Sequence, residues 1–351
     1  MPTLSSVATA VPPHRLTQTV AKEFAGRHFA SGIPDLERLL PLFDRAGVEQ
    51  RFLTKPPEWY LAGPSFEESN RVFIEAATEL ASEAVLGALD RAGLELGQVD
   101  YLLFINSTGL ATPSIDARVI NRLGLPRHVR RTPIWGLGCA GGVAGLSHAY
   151  HHALGHPRSR ILVVALELCS LTFLADDSSK ENLVASALFG DGAAAAVVAG
   201  DETGASGWEI LDTRSTFYPD SLDIMGWNVR SRGLQVVFNR RIPQIVSANA
   251  RAELLEFLGA HGLELDDLSL FLLHPGGSKV LEAYRRAYAT GPSGFRFSVA
   301  ALREFGNMSS ATVLFVLERA LQEKALAPGH RALVSALGPG FCSESLLLKG
   351  R

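Results

Sequence analysis

Two stretches of the chain read almost alike: Gly93–Phe104, GLELGQVDYLLF, and Gly262–Leu273, GLELDDLSLFLL, 169 residues apart. Each opens on a polar turn and closes on an apolar run of strand type, Val99–Ile105 in one and Leu268–Leu273 in the other. The echo continues in the same order. Gly138-Cys139 precedes the helical pattern AGGVAGLSHAYHHAL, and Gly306-Asn307 precedes MSSATVLFVLERAL, an offset of 168. RSRILVVALEL then lies opposite GHRALVSALGP, with Arg160 and Arg331 offset by 171. One four-residue match is within chance. Three matches in one order at nearly one offset predict a duplicated αβ unit. Arg160–Leu166 and Arg331–Leu337 read as buried strands, and Phe73–Ala92 and Val313–Leu326 as helices, so the class is α/β with a largely buried sheet. The first copy carries an insertion, roughly Leu168–Leu188, an expected site of substrate or dimer contacts. The halves are expected at 1–203 and 204–351. The duplication makes the strand-to-helix turns at Cys139 and Asn307 equivalent, facing one central site.

Composition sets the outer limits. The length, 351 residues, fits two domains or one unit used twice. Charge is 33 Lys+Arg against 36 Asp+Glu, so nothing favours a nucleic-acid partner. Hydrophobic residues make up 47% and charged residues 20%, a composition that builds a large core. The cysteines are Cys139, Cys169 and Cys342, an odd count with no CxxC pair. A disulfide scaffold and a Cys-rich zinc site are therefore disfavoured, and a reducing, cytoplasmic compartment is expected. The N-terminus has no signal-peptide pattern, and the longest apolar runs, such as Ile161–Leu166 and Ala193–Ala199, are of strand length, so no transmembrane segment is expected.

Cys139 stands in TPIWGLGCAGGVAGL, at a Gly-rich turn opening a helix. Free N–H groups and the positive dipole end there are expected to lower a thiol pKa, and small neighbours let a substrate approach. The bland alternative is an inert core thiol, which is the reading kept for Cys169 and Cys342. Gly136-Leu-Gly138-Cys-Ala-Gly141 is also a literal GxGxxG, with Glu167 where a ribose ligand could sit. That dinucleotide reading is weakened by the long spacing to Glu167 and by its place inside a duplicated pattern. His274 ends the strand in FLLHPGG and is aimed into a loop. Asn307, in EFGNMSSATVLF, is either a routine N-cap or an amide donor for a developing oxyanion. His148, His151, His152 and His156 crowd one helix without an accompanying carboxylate, so they read as surface residues and no metal is expected.

Cys139 in GCAGG, His274 in HPGG and Asn307 in GNMSSA are spaced by 135 and 33 residues. In that order they resemble the Cys-His-Asn triad of the type III polyketide synthases, the chalcone synthase family. Ser186–Ala195 (SALFGDGAAA), Pro219-Asp220-Ser221 and Gly338-Pro339-Gly340 extend the resemblance over essentially the whole chain. The ketoacyl-ACP synthase III enzymes share the triad, but HPGG and GPG fit the polyketide synthases better. The resemblance implies a thiolase-like, duplicated αβαβα fold and a homodimer. It implies CoA thioesters as substrates and no cofactor. Cys139, paired with His274, would take an acyl-CoA starter; His274 and Asn307 would stabilise the enolate left by decarboxylation of malonyl-CoA. Claisen condensation on the acyl-Cys139 thioester, repeated, would build a polyketide that cyclises.

The departures bear on substrate choice. Trp208 and Val236 are expected at two gate positions that carry Phe in plant members. Trp227 replaces a cavity residue that is often Gly, Thr172 and Ser309 match small or polar cavity residues, and Thr112 is expected to touch a partner subunit's cavity. Among CoA-tunnel positions, Arg38 and Arg45 match and Pro41 does not. The Gly338–Gly340 loop is expected to shape cyclisation. Asp223–Phe238, DIMGWNVRSRGLQVVF, looks like bacterial members that make alkylpyrones or alkylresorcinols from fatty acyl starters. A single-round ketoacyl-ACP synthase, a nucleotide-binding oxidoreductase and a catalytically dead acyl-CoA binding protein remain as alternatives.

Overall fold

A computed structural model describes the chain from Met1 to Arg351, the side chain of Pro292 apart. Its thirteen strands are β1 (Thr3–Ala10), β2 (His14–Thr17), β3 (Gln50–Leu53), β4 (Tyr101–Asn106), β5 (Arg130–Trp135), β6 (Arg160–Leu168), β7 (Asp191–Ala199), β8 (Trp208–Phe217), β9 (Met225–Arg230), β10 (Gly233–Phe238), β11 (Leu268–Leu273), β12 (Arg331–Gly338) and β13 (Cys342–Lys349). Nine form one sheet in the order β11-β12-β13-β8-β1-β7-β6-β4-β5. Read outward from the junction of β1 and β8, the two sides repeat. Each first pairing is antiparallel, the second is antiparallel and the third is parallel. Only β5, an exposed edge strand, lacks a counterpart. The offset between equivalent strand starts falls from 171 at Arg160/Arg331 to 151 at Asp191/Cys342, which is the insertion expected between them.

The repeated GLEL has a local cause. Glu95 with Gln98, and Glu264 with Asp267, form capping boxes on single 3-10 turns that launch β4 and β11. The strand Asp191–Ala199 is buried throughout and divides its side chains by parity. Ala194, Ala196 and Val198 face a central core; Ala193, Ala195 and Val197 face an outer one. The central core holds the helices Gly141–Gly155 and Thr312–Gln322 between the two halves of the sheet. The long helix Phe66–Ala92 covers one outer face, and the helices Ile242–Gly259 and Ser278–Ala287 cover the other. The layers are αβαβα, as expected. The helix 66–92 starts seven residues before the apolar pattern does, because Ser65 caps it: its Oγ accepts from the Glu68 N–H at 3.1 Å.

Two expectations need correction here. The turn equivalent to Gly138–Ala140 is Ser309–Ala311, since each leads directly into a central helix. Cys139 is therefore equivalent to Ser310, and Asn307 lies three residues earlier. The GxGxxG glycines also serve packing between the halves. A Cβ on Gly142 would lie 2.3 Å from the Ser310 carbonyl oxygen, and one on Gly138 (φ +45) 2.7 Å from Pro339 Cδ. No phosphate cradle is required to explain them, and the oxidoreductase reading loses its motif.

Candidate active site

Cys139 sits in the turn that ends β5 and opens the helix Gly141–Gly155. Its Sγ lies 3.6 Å from Ser309 Oγ. Ser309 is held in left-handed backbone (φ +46), and its N–H donates to Asn307 Oδ1 at 2.8 Å. Asn307 Nδ2 donates to the Gly276 carbonyl at 3.2 Å, in the His-Pro-Gly-Gly segment that begins at His274. The turns that carry Cys139 and Asn307 and the end of β11 that carries His274 thus meet in one buried cluster, with Asn307 fully enclosed. The His274 backbone is fixed by its N–H to the Ser335 carbonyl at 2.8 Å, while both ring nitrogens are buried without a partner. Such a pair of open nitrogens is suited to exchanging a proton and receiving an oxyanion.

The electrostatics differ from the local expectation. Burial pushes the Cys139 thiol up to about 12, and the nearby Glu167 adds to this, against hydrogen bonds from Ser309 and Asn307 that favour the thiolate. Burial likewise draws His274 down to about 3. The helix start alone therefore does not ionise Cys139. Burial favours a neutral thiol and a neutral imidazole when the site is at rest.

Glu167 is no ribose ligand. Fully buried, it accepts from the Ser107 N–H and Oγ, Thr108 Oγ1 and Ser310 Oγ at 2.6–3.0 Å, and so ties both halves together behind Cys139. Asp191 does the same for β3 and the inserted segment, accepting from Thr54 and Ser170. The Gly338–Gly340 loop packs on the Cys139 turn, where a Cβ on Gly338 would lie 2.5 Å from Ala140 Cβ. Ser221 of Pro-Asp-Ser accepts from the Phe341 N–H at 2.8 Å, which anchors that loop.

An open, largely apolar cavity is lined by Leu16, Phe24, Cys169, Thr172, Phe173, Phe189 and Val236. Val236 and Trp227 face each other across the β9–β10 hairpin. Trp208 does not line this cavity. It opens β8 opposite Leu4 and is buried in the central core with Tyr150 and Ile210. An aromatic that does line the cavity is Phe189, whose backbone bridges Asn307. It lies inside the quoted SALFGDG motif, which was the signal that could have found it. Cys169, read as a plain core thiol, also lines the cavity. Thr112 is exposed and away from this cavity within one chain. Arg38 is exposed and 3.8 Å from Asp35; Arg45 is exposed, and its carbonyl accepts from Ser278 Oγ at 2.7 Å. His152 and His156 stack at 4.2 Å, and among the described residues no group of three His, Cys, Asp or Glu is placed to hold a metal.

The family signatures for chalcone and stilbene synthases match residues 3–202 with the N-terminal domain and 209–351 with the C-terminal domain. The chain belongs to the chalcone and stilbene synthase family. It is a type III polyketide synthase by its relatives as well. It is 40% identical to the 1,3,6,8-tetrahydroxynaphthalene synthase of Streptomyces peucetius, over 99% of this chain and 92% of that one. It is 31% identical to a 3,5-dihydroxyphenylacetyl-CoA synthase of Streptomyces toyocaensis, over 91% and 84%. The crystal structure of the 1,3,6,8-tetrahydroxynaphthalene synthase of Streptomyces coelicolor superposes with a TM-score of 0.95 at 34% identity, over 99% of both chains. No helix of this synthase is long and apolar enough to cross a membrane.

Proposed function

We propose that this type III polyketide synthase is an acyltransferase that primes on a medium- or long-chain fatty acyl-CoA, extends it with malonyl-CoA and closes a pyrone or resorcinol ring. The observation that supports the starter is the apolar cavity whose lining includes Leu16, Phe24, Phe189 and Val236. A chain seated there would bury its methylenes at about 0.8 kcal/mol each.

In this reading Cys139 gives its proton to His274, attacks the starter thioester and releases CoA. The His274 ring and the Asn307 amide then donate to the thioester oxygen of malonyl-CoA. Loss of CO₂ leaves an enolate whose charge those donors hold, and its carbon attacks acyl-Cys139. CoA thioesters are substrates here, with Arg38 and Arg45 as candidates for their phosphates. Thr112 is proposed to complete the neighbouring cavity in a homodimer, and the Gly338–Gly340 loop to shape the ring closure.

A second reading, priming on malonyl-CoA alone, is favoured by the tetrahydroxynaphthalene synthase relatives. One experiment separates the two. The protein is incubated with acyl-CoAs of graded length and malonyl-CoA, and adducts and products are weighed. An acyl adduct lost in Cys139→Ala, with alkylated ring products, is expected. An aromatic product from malonyl-CoA alone, without acyl incorporation, would favour the second reading. A ketoacyl product without a ring would support a single-round enzyme.

A further inference from the structure

Arg51, in the short strand β3, is the largest fully buried side chain of the protein, at 1% exposure. Among the described residues no carboxylate pairs with it. Its acceptors are instead backbone carbonyls at the end of the inserted helix Lys180–Leu188. Nη1 donates to Ser186 O at 2.5 Å and reaches Phe189 O at 3.5 Å; Nη2 donates to Ala187 O at 3.0 Å and to Gln18 Oε1. A guanidinium is well matched to this position, because helix C-termini present free carbonyls and the negative dipole end.

The chain that Arg51 caps leads straight into the site. Leu188 O accepts from the Asn307 N–H at 2.8 Å, and the Gly190 N–H donates to Asn307 O at 3.0 Å. These bonds clasp the Asn307 backbone from both sides, with Phe189 between them. Both glycines beside this clasp crowd the Arg51 stem. A Cβ on Gly190 would lie 3.1 Å from Arg51 Cβ and 2.5 Å from Phe305 O; one on Gly306 (φ +71) would lie 3.5 Å from Arg51 Cβ and 2.7 Å from Leu188 O. Three parts distant in sequence therefore close on the Arg51 side chain, the inserted helix on its guanidinium and the two glycines on its stem.

We propose that Arg51 is a positioning residue: by capping the inserted helix it fixes the Leu188–Gly190 segment, and through it the Asn307 amide and Phe189 in the cavity wall. This rests on the role given above to Asn307. It implies that weakening Arg51 impairs decarboxylation while leaving starter loading at Cys139 largely intact. A residue that only stabilised the fold would lower both steps together through loss of folded protein.

The test compares wild-type protein, Arg51→Lys and Gln18→Leu, the last removing the side-chain oxygen that holds Nη2. Hydrogen exchange of peptides spanning 185–192 and 303–310 is measured first. The acyl-adduct rate with a fatty acyl-CoA and CO₂ release from malonyl-CoA follow. Faster exchange at the clasp is expected in both variants. So is a fall of tenfold or more in the ratio of decarboxylation to acylation in Arg51→Lys, with a shifted product-length profile. Unchanged exchange at both peptides, or an unchanged ratio in folded Arg51→Lys, would overturn the proposal. If the wild-type protein does not decarboxylate malonyl-CoA, the functional reading falls, and the exchange measurement still decides whether Arg51 holds the clasp.

Discussion

Replacing Asn307 by alanine is the most direct probe of the division of labour in the site. The side chain is fully buried, with Nδ2 on the Gly276 carbonyl and Oδ1 on the Ser309 N–H. An amide nitrogen carries two protons, so one remains for a thioester oxygen as its charge develops. Losing one such donor in an enclosed site costs about 3–4 kcal/mol of barrier, or roughly 10²–10³ in rate. The loss should fall mainly on CO₂ release from malonyl-CoA, since Cys139 and His274 remain to load the starter, with a smaller loss in loading because the Asn307 hydrogen bond that favours the Cys139 thiolate is gone. Alanine also frees Ser309, whose left-handed backbone that Oδ1 helps to hold, so some loosening beside Cys139 is included. Asn307→Asp separates the two effects: it keeps an acceptor for Ser309 but places a carboxylate where a donor is needed. It should therefore decarboxylate no better than alanine, and its charge, like that of Glu167, should oppose the Cys139 thiolate and slow acylation further. The assay is intact-mass measurement of the acyl adduct beside CO₂ release. Decarboxylation at the wild-type rate in Asn307→Ala would refute the oxyanion role. An equal loss of both steps would show that Asn307 acts before malonyl-CoA arrives.

Val236→Phe fills the wall shared by the hairpin and the apolar cavity, and should shorten the acyl-CoAs accepted; an unaltered length profile by mass spectrometry would contradict the proposed chain path. Phe189→Ala should change product length, whereas Trp208→Phe should lower the melting temperature with little change in product, because Trp208 is core. Gly142→Ala would drive a Cβ into the Ser310 carbonyl at 2.3 Å and the Val313 side chain at 2.8 Å, at a cost of about 1–3 kcal/mol or more. Gly155→Ala meets nothing within 4 Å at the far end of the same helix and is the matched control, expected to be near neutral in a urea titration.

The parts of this molecule that could be read from sequence are those whose causes are local or repeated. Glu95 and Glu264 cap their turns within three residues, so GLEL announces a strand twice, and the strand at Leu268–Leu273 needs no correction. The Gly-rich turn at Cys139 is legible because close packing there requires missing side chains. What was misread depends on contacts across the halves. The resemblance puts Trp208 at a gate position, but it opens the strand β8. Only packing shows that Trp208 pairs with Leu4 and belongs to the central core. The Cys139 turn read by itself shows only its own helix start, whereas in the fold burial is the largest influence on the thiol and pushes its pKa up. Arg51 was invisible for the same reason. Apart from the Gln18 side chain, its acceptors are main-chain carbonyls more than 130 residues away, and carbonyls carry no mark of residue type. The insertion, seen as an interruption of the repeat, is what breaks the symmetry. It supplies Phe189 and the strand-like clasp on Asn307 to one side of a two-fold scaffold. The opposite turn is left to hold the thiol, so in the proposed mechanism one αβ unit used twice would provide the nucleophile from one copy and the oxyanion donors from the other.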